Sequence, residues 1–165
     1  MRRVNPILIC ALMLFVAAPV ARSQGKVKQG ADVARDPDLE KDSQHNLEVA
    51  RFYFSRLRKA YVSALQRCEE IIAGNPTFSK VDEALFIAGE SNLLLADGKG
   101  KQKPSLYKRA GANGATATPT PDEFRAEARA YLTQLVDNYP DSKFRNEALE
   151  DLKSLGGAKP KESKQ

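Results

Sequence analysis

Few residues in this 165-residue chain are equipped for chemistry. His45 is the only histidine, and Cys10 and Cys68 are the only cysteines. A metal centre needs three or four ligands converging from His, Cys and carboxylate side chains, a set this chain cannot assemble around one imidazole. His45, at the polar entrance to the first helix, therefore reads as a surface residue, and a Ser-His-Asp arrangement has no other histidine to draw on. Glu69 and Glu70 are adjacent, so on a helix they point about 100° apart and are expected to be solvated, not paired for acid-base work. No Gly-rich loop follows a strand-like run, as phosphate binding would require. These observations predict a protein that is not an enzyme and carries no cofactor and no metal.

Binding is better supported. Phe52, Tyr53 and Arg56 cluster on the first helical stretch, and aromatic and Arg side chains serve as anchors because they bury a large area at modest entropic cost. They are the candidate partner-binding face, although Phe52 and Tyr53 also fit plain core positions. The basic run Lys99 to Arg109 would suit anionic lipid head groups or an acidic partner, and equally a solvated loop, so peripheral membrane contact stays open.

These residues must be positioned by helices. Leu47, Ala50, Phe54 and Leu57 recur at spacings of three and four, and Tyr61, Ala64, Leu65, Cys68, Ile71 and Ile72 continue the period until Gly74-Asn75-Pro76 stops it. Ala84, Leu85, Ala88, Asn92 and Leu95 define a third helix closed by Asp97-Gly98. Phe124, Ala128, Tyr131, Leu132, Leu135, Val136 and Tyr139 define a fourth, opened by Thr120-Pro121-Asp122-Glu123. Phe144, Ala148, Leu152 and Leu155 define a last one. Between the third and fourth, residues 99–121 show no helical spacing beyond the isolated Leu106-Tyr107 pair and are expected to form a flexible, disordered insertion.

The chain repeats itself. Ala64 to Leu85 overlays Ala128 to Leu149 without gaps, at a constant offset of 64. Ala64, Pro76, Glu83, Ala84 and Leu85 meet Ala128, Pro140, Glu147, Ala148 and Leu149, while Cys68, Ile71 and Ile72 meet Leu132, Leu135 and Val136. A small residue early in the second helix of a hairpin, a larger apolar one four later and a Pro twelve after the small one resemble the tetratricopeptide pattern. Ala64, Cys68 and Pro76 fit it, as do Ala128, Leu132 and Pro140. The small residue lets two helices approach closely, the Pro turns the chain back, and stacked hairpins complete one core. The expected fold is all-α, with about five antiparallel tetratricopeptide-like helices over residues 46–156, a linker at 24–45 and a polar tail at 157–165. Cys68 is a core position in this scheme, a buried small hydrophobe and not a reactive thiol.

The run Glu48-Val49-Ala50-Arg51-Phe52-Tyr53-Phe54-Ser55-Arg56, followed by Tyr61, Ala64, Arg67-Cys68-Glu69, Asn75-Pro76 and Glu83-Ala84-Leu85, resembles the BamD-like (YfiO-like) outer-membrane assembly lipoproteins. The resemblance spans about Leu47 to Leu155. It implies a helical-repeat scaffold at the periplasmic face of the outer membrane that binds envelope proteins, the barrel-insertion machinery among them. This chain has about two and a half repeats where the family usually has five. Leu57-Arg58-Lys59-Ala60 stands where a Gly-containing turn belongs, so the first two helices are expected to join with little break. Other roles that fit the same residues are a periplasmic adaptor in envelope or cell-division upkeep and an accessory subunit of a secretion or peptidoglycan enzyme.

Export is read from the first residues. Arg2 and Arg3 precede the apolar run Ile7 to Val20, too short to span a bilayer, and Ala21-Arg22-Ser23 offers small residues for cleavage before Gln24. Residues 1–23 are expected to be a signal peptide. Cys10 lies inside the apolar run instead of ending it, which does not make a lipobox. Loss of Arg2, Arg3 and Arg22 leaves 23 basic against 21 acidic residues, which argues against a nucleic-acid partner. A mature chain would keep only Cys68 and no intramolecular disulfide.

Overall fold

The computed structural model describes residues 35–110 and 114–156. The expected leader, the first half of the expected linker and the tail at 157–165 lie outside the described residues. Among those described, five α-helices carry the structure: α1 Pro37–Phe54, α2 Tyr61–Gly74, α3 Val81–Ala96, α4 Pro121–Asn138 and α5 Arg145–Ser154. Each packs on its predecessor, and α1 also reaches α3. The architecture is the all-α antiparallel helical repeat that the sequence predicts.

The repeat holds down to the backbone hydrogen bonds of its turns. α2 and α4 end at Gly74 and Asn138, and α3 and α5 begin at Val81 and Arg145, each pair 64 positions apart. The capping residues Asn75 and Tyr139 share one backbone conformation, φ −141° ψ 75° and φ −127° ψ 68°. Asn75 N–H donates to the Ile71 carbonyl, Phe78 to Asn75 and Val81 to Phe78, and the same three bonds recur as Tyr139 to Leu135, Ser142 to Tyr139 and Arg145 to Ser142. Pro76 and Pro140 sit exposed in these two turns. Ala64, Cys68, Ala84, Ala128, Leu132 and Ala148 are all fully buried.

α3 is the axis of the core. Eleven of its 16 residues are buried, so it lacks the polar stripe of a surface helix. α1, α2 and α4 enclose it, and α5 closes the remaining side by stacking Phe144 on Phe86, ring centroids 4.8 Å apart. Gly89 sets the α3 to α4 approach: a Cβ there would lie 2.7 Å from Leu132 Cγ and Cδ2, and Leu132 is itself fully buried. Gly89→Val is expected to lower stability by about 2 kcal/mol through overpacking, read as a lower urea midpoint at unchanged slope.

Three local expectations are corrected. The linker expected to run to residue 45 gives way to helix at Pro37. The Asp36 carboxylate caps the Asp38 and Leu39 N–H groups, Pro37 takes the first helical position, and Asp38 and Glu40 oppose the helix dipole. The first turns are held by polar contacts to the α2–α3 turn instead of an apolar face. Asn75 Nδ2 donates to Ser43 Oγ (3.1 Å), Lys80 Nζ to Gln44 (2.8 Å) and Ser79 N–H to Glu40 (3.2 Å).

Helices α1 and α2 do not run together. α1 stops at Phe54, and Leu57, expected on the apolar face, is 83% exposed in the turn. Lys59 takes the left-handed conformation (φ 49°) that a glycine would normally supply. The 99–121 stretch also carries local structure: a 3-10 turn at Pro104–Leu106, the antiparallel pair Arg109–Ala110 with Thr116–Ala117, and a buried Tyr107. At its end Thr120 and Glu123 form the capping box that starts α4, as expected.

Candidate functional site

The predicted partner face is only partly assembled. Phe52 is 51% exposed on α1, and the half-buried Tyr53 ring lies 5.8 Å from it. Arg56 is not on the helix. It stands exposed in the turn beyond Ser55, and the cation over the Phe52 ring belongs to Arg58, 4.5 Å from the centroid. Leu39, 47% exposed at the start of α1, lies more than three turns from Phe52 and on a different side of the helix. The inner side of the helix is fixed by Leu47 and Ala50 and by Arg51, whose guanidinium makes a two-pronged pair with Glu83 on α3 at 2.6 and 2.7 Å. Hydrogen bonding to Glu83 holds the Arg51 pKa above its ordinary value.

A second polar centre lies where the 99–121 stretch crosses α2 and α4. Glu69, expected to be solvated, is half-buried there and accepts from Tyr107 Oη at 2.6 Å and Tyr131 Oη at 3.4 Å. Arg109 lies 3.6 Å from Glu69 and bridges to Glu127 at 2.7 Å. Burial and the Glu69 contact push Tyr107 up to about 12, and burial with the charge of Glu69 raises Tyr131 as well. Burial works against the charge of Arg109, but the hydrogen bonds and charges of Glu127 and Tyr107 together outweigh it and raise its pKa. Two clefts flank this centre, about 470 Å³ beside Glu69 and Tyr131 and about 200 Å³ between Thr118 and Glu127. The donors and acceptors satisfy one another, so the network works as a clasp tying the 99–121 stretch to the helices. Only the isolated Leu106-Tyr107 pair hinted at it in the sequence. Glu70 is exposed and pairs with Arg67, consistent with the solvated expectation.

A third cluster joins α3 to α5. Glu90 Oε1 and Asp151 Oδ2 are buried with no donor from any other group, and burial, then the neighbouring Asp151 carboxyl, raise Glu90 to about 8. Nothing in the apolar periodicity announces this pair. Cys68 is fully buried, and burial raises its thiol well above its ordinary range, which keeps it protonated and unreactive. His45 is exposed on α1. Among the described residues no group of three or more His, Cys, Asp or Glu is placed to hold a metal, and no helix is long and apolar enough to cross a membrane. Comparison with family models, with curated proteins and with solved structures gives no match for this chain.

Proposed function

We propose that this protein is a non-enzymatic scaffold, exported to the periplasm or the periplasmic face of the outer membrane. There it binds envelope proteins in the manner of the BamD-like component of outer-membrane protein assembly. The observation that carries the reading is the outer surface of α1, where a helix at the edge of a repeat stack presents Phe52 half in solvent beside Tyr53. Exposed aromatics on a rigid helix are suited to seat a partner helix or extended peptide, because their area is buried on binding with little ordering cost. The tetratricopeptide-like spacing and the apolar run at Ile7 to Val20 support the repeat family and the export.

The test is crosslinking and affinity capture from native bacterial envelopes, with the partners identified by mass spectrometry. Recovery of the barrel-insertion machinery is expected, and Phe52→Ala should reduce that recovery at least tenfold while leaving the melting curve in place, since this ring is half exposed. Recovery of a different envelope complex would move the chain to another scaffold role. Recovery unaffected by Phe52→Ala would dismiss this face.

A further inference from the structure

Two segments distant in sequence meet at one end of the helix bundle. The turn between α1 and α2 exposes Arg56, Arg58 and Lys59 around Leu57, which at 83% is the most exposed of the large hydrophobic residues described. Against this turn lies the chain just after α3, bringing Lys99, Lys101 and Lys103, all exposed.

The meeting is built into the backbone. Lys101 N–H donates to the Lys59 carbonyl at 2.9 Å, and Lys101 Nζ donates to the Leu57 carbonyl at 2.8 Å. Gln102 holds the start of α2 from the other side, accepting from Ser63 N–H at 3.0 Å and donating to Ser63 Oγ at 2.8 Å. Gly100 (φ 101°) makes the approach feasible, because a Cβ there would fall 2.6 Å from the Tyr61 ring and 2.8 Å from the Lys59 carbonyl oxygen.

The acidic groups nearby are already engaged. Asp97 is held by Lys99 (3.0 Å) and Arg125 (3.3 Å), Asp122 by Arg125 (3.3 Å), and Glu123 by the α4 capping box. Arg56, Lys59 and Lys103 are left facing solvent around an aliphatic side chain at the apex of a turn.

We propose that this end of the bundle docks on an anionic lipid surface, with Leu57 entering the acyl boundary and the surrounding Arg and Lys side chains resting on head-group phosphates. Charge complementarity selects the partner's sign, and Leu57 selects its kind. A nucleic-acid backbone or an acidic peptide would use the cations but has no apolar layer for an aliphatic residue ringed by them, whereas a head-group boundary offers both. The proposal is independent of the partner face on α1 and stands whether or not that face binds protein.

The sequence contains no tryptophan, so Leu57→Trp places a single reporter at the apex, on a residue too exposed to matter for folding. The full chain is mixed with vesicles of phosphatidylglycerol and phosphatidylcholine, with and without brominated acyl chains. Leu39→Trp, on the first turn of α1, serves as the control for association driven by any other part of the chain. The expected result is a blue shift and bromine quenching for Leu57→Trp on anionic vesicles, absent on pure phosphatidylcholine and absent for Leu39→Trp. Adding Arg56→Glu and Lys103→Glu to the Leu57→Trp chain should weaken this insertion at least fivefold for each residue reversed. Emission that stays water-like on anionic vesicles, or equal quenching on neutral ones, would overturn the proposal. A shift with duplex DNA or polyglutamate and none with anionic vesicles would overturn it too, and would assign this end to an acidic macromolecule.

Discussion

Ala64→Arg and Ala128→Arg should each abolish cooperative unfolding of the domain. Both alanines are fully buried, one at the same place in each copy of the repeat, α2 and α4. An arginine there must either drive a long side chain into a packed helix contact or bury a guanidinium with no partner. Overpacking alone costs about 1–3 kcal/mol and an unpaired buried charge several more. Domains of this size are stable by only about 5–15 kcal/mol in all, so either substitution removes most of the margin. Thermal and urea unfolding followed by circular dichroism would show it. Ala73→Arg and Ala130→Arg, exposed positions on the same two helices, should leave the transition nearly unchanged. If the buried substitutions melt like the exposed ones, the repeat does not organise this core.

That prediction rests on the part of the fold that the sequence expresses most directly. Apolar spacing reports buried helix faces, and the matched pairs Ala64 with Ala128 and Cys68 with Leu132 are buried in both copies. The start of α4 was equally legible, because Thr120, Pro121 and Glu123 are local signals acting on their own backbone. The start of α1 was not, since Ser43, Gln44 and Glu40 are held by hydrogen bonds to a turn more than 30 residues on. A period of apolar residues cannot register contacts of that kind. The turn at 55–60 was hidden for a different reason: Lys59 adopts a conformation its residue type does not advertise, and Leu57 imitates a core position while lying in solvent. At the candidate partner face, Phe52 and Tyr53 are placed on α1 as expected. Arg56 falls outside the helix, because the apolar spacing continues across a turn that no residue type marks. The clasp of Tyr107, Glu69 and Arg109 depends on how the 99–121 stretch folds back, which no local pattern encodes.

Stability should fall as pH rises from about 5 to 8, opposite to the usual effect of carboxylates held by basic partners. Glu90 on α3 meets Asp151 and the more distant charge of Glu147 on α5, with Lys99 the opposing cation. Desolvation, then the neighbouring Asp151 carboxyl, raise Glu90 from the ordinary carboxyl range to about 8, so the folded protein holds a proton that the unfolded chain has released. That proton also accounts for the two buried carboxyl oxygens left without partners, Glu90 Oε1 and Asp151 Oδ2, because one carboxyl can then donate to the other. The stability this contributes is complete below the unfolded pKa and is lost as pH climbs through the folded one. One retained proton gives a slope of at most about 1.4 kcal/mol per pH unit, and partial solvent access reduces it to about 1. Because the pair lies between α3 and α5, the loss should appear first as faster amide exchange in α5, which is otherwise held by its packing on α4 and by the stack of its capping residue Phe144 on Phe86. Urea midpoints at half-unit steps from pH 5 to 8 measure the slope, with His45→Gln as a control for the only histidine. Glu90→Gln keeps a donor for Asp151 and no longer titrates, so it should flatten the profile and hold α5 protected at pH 8. A wild-type profile that is flat or rising, or a Glu90→Gln chain with the wild-type slope, would show that α3 and α5 meet without a shared proton.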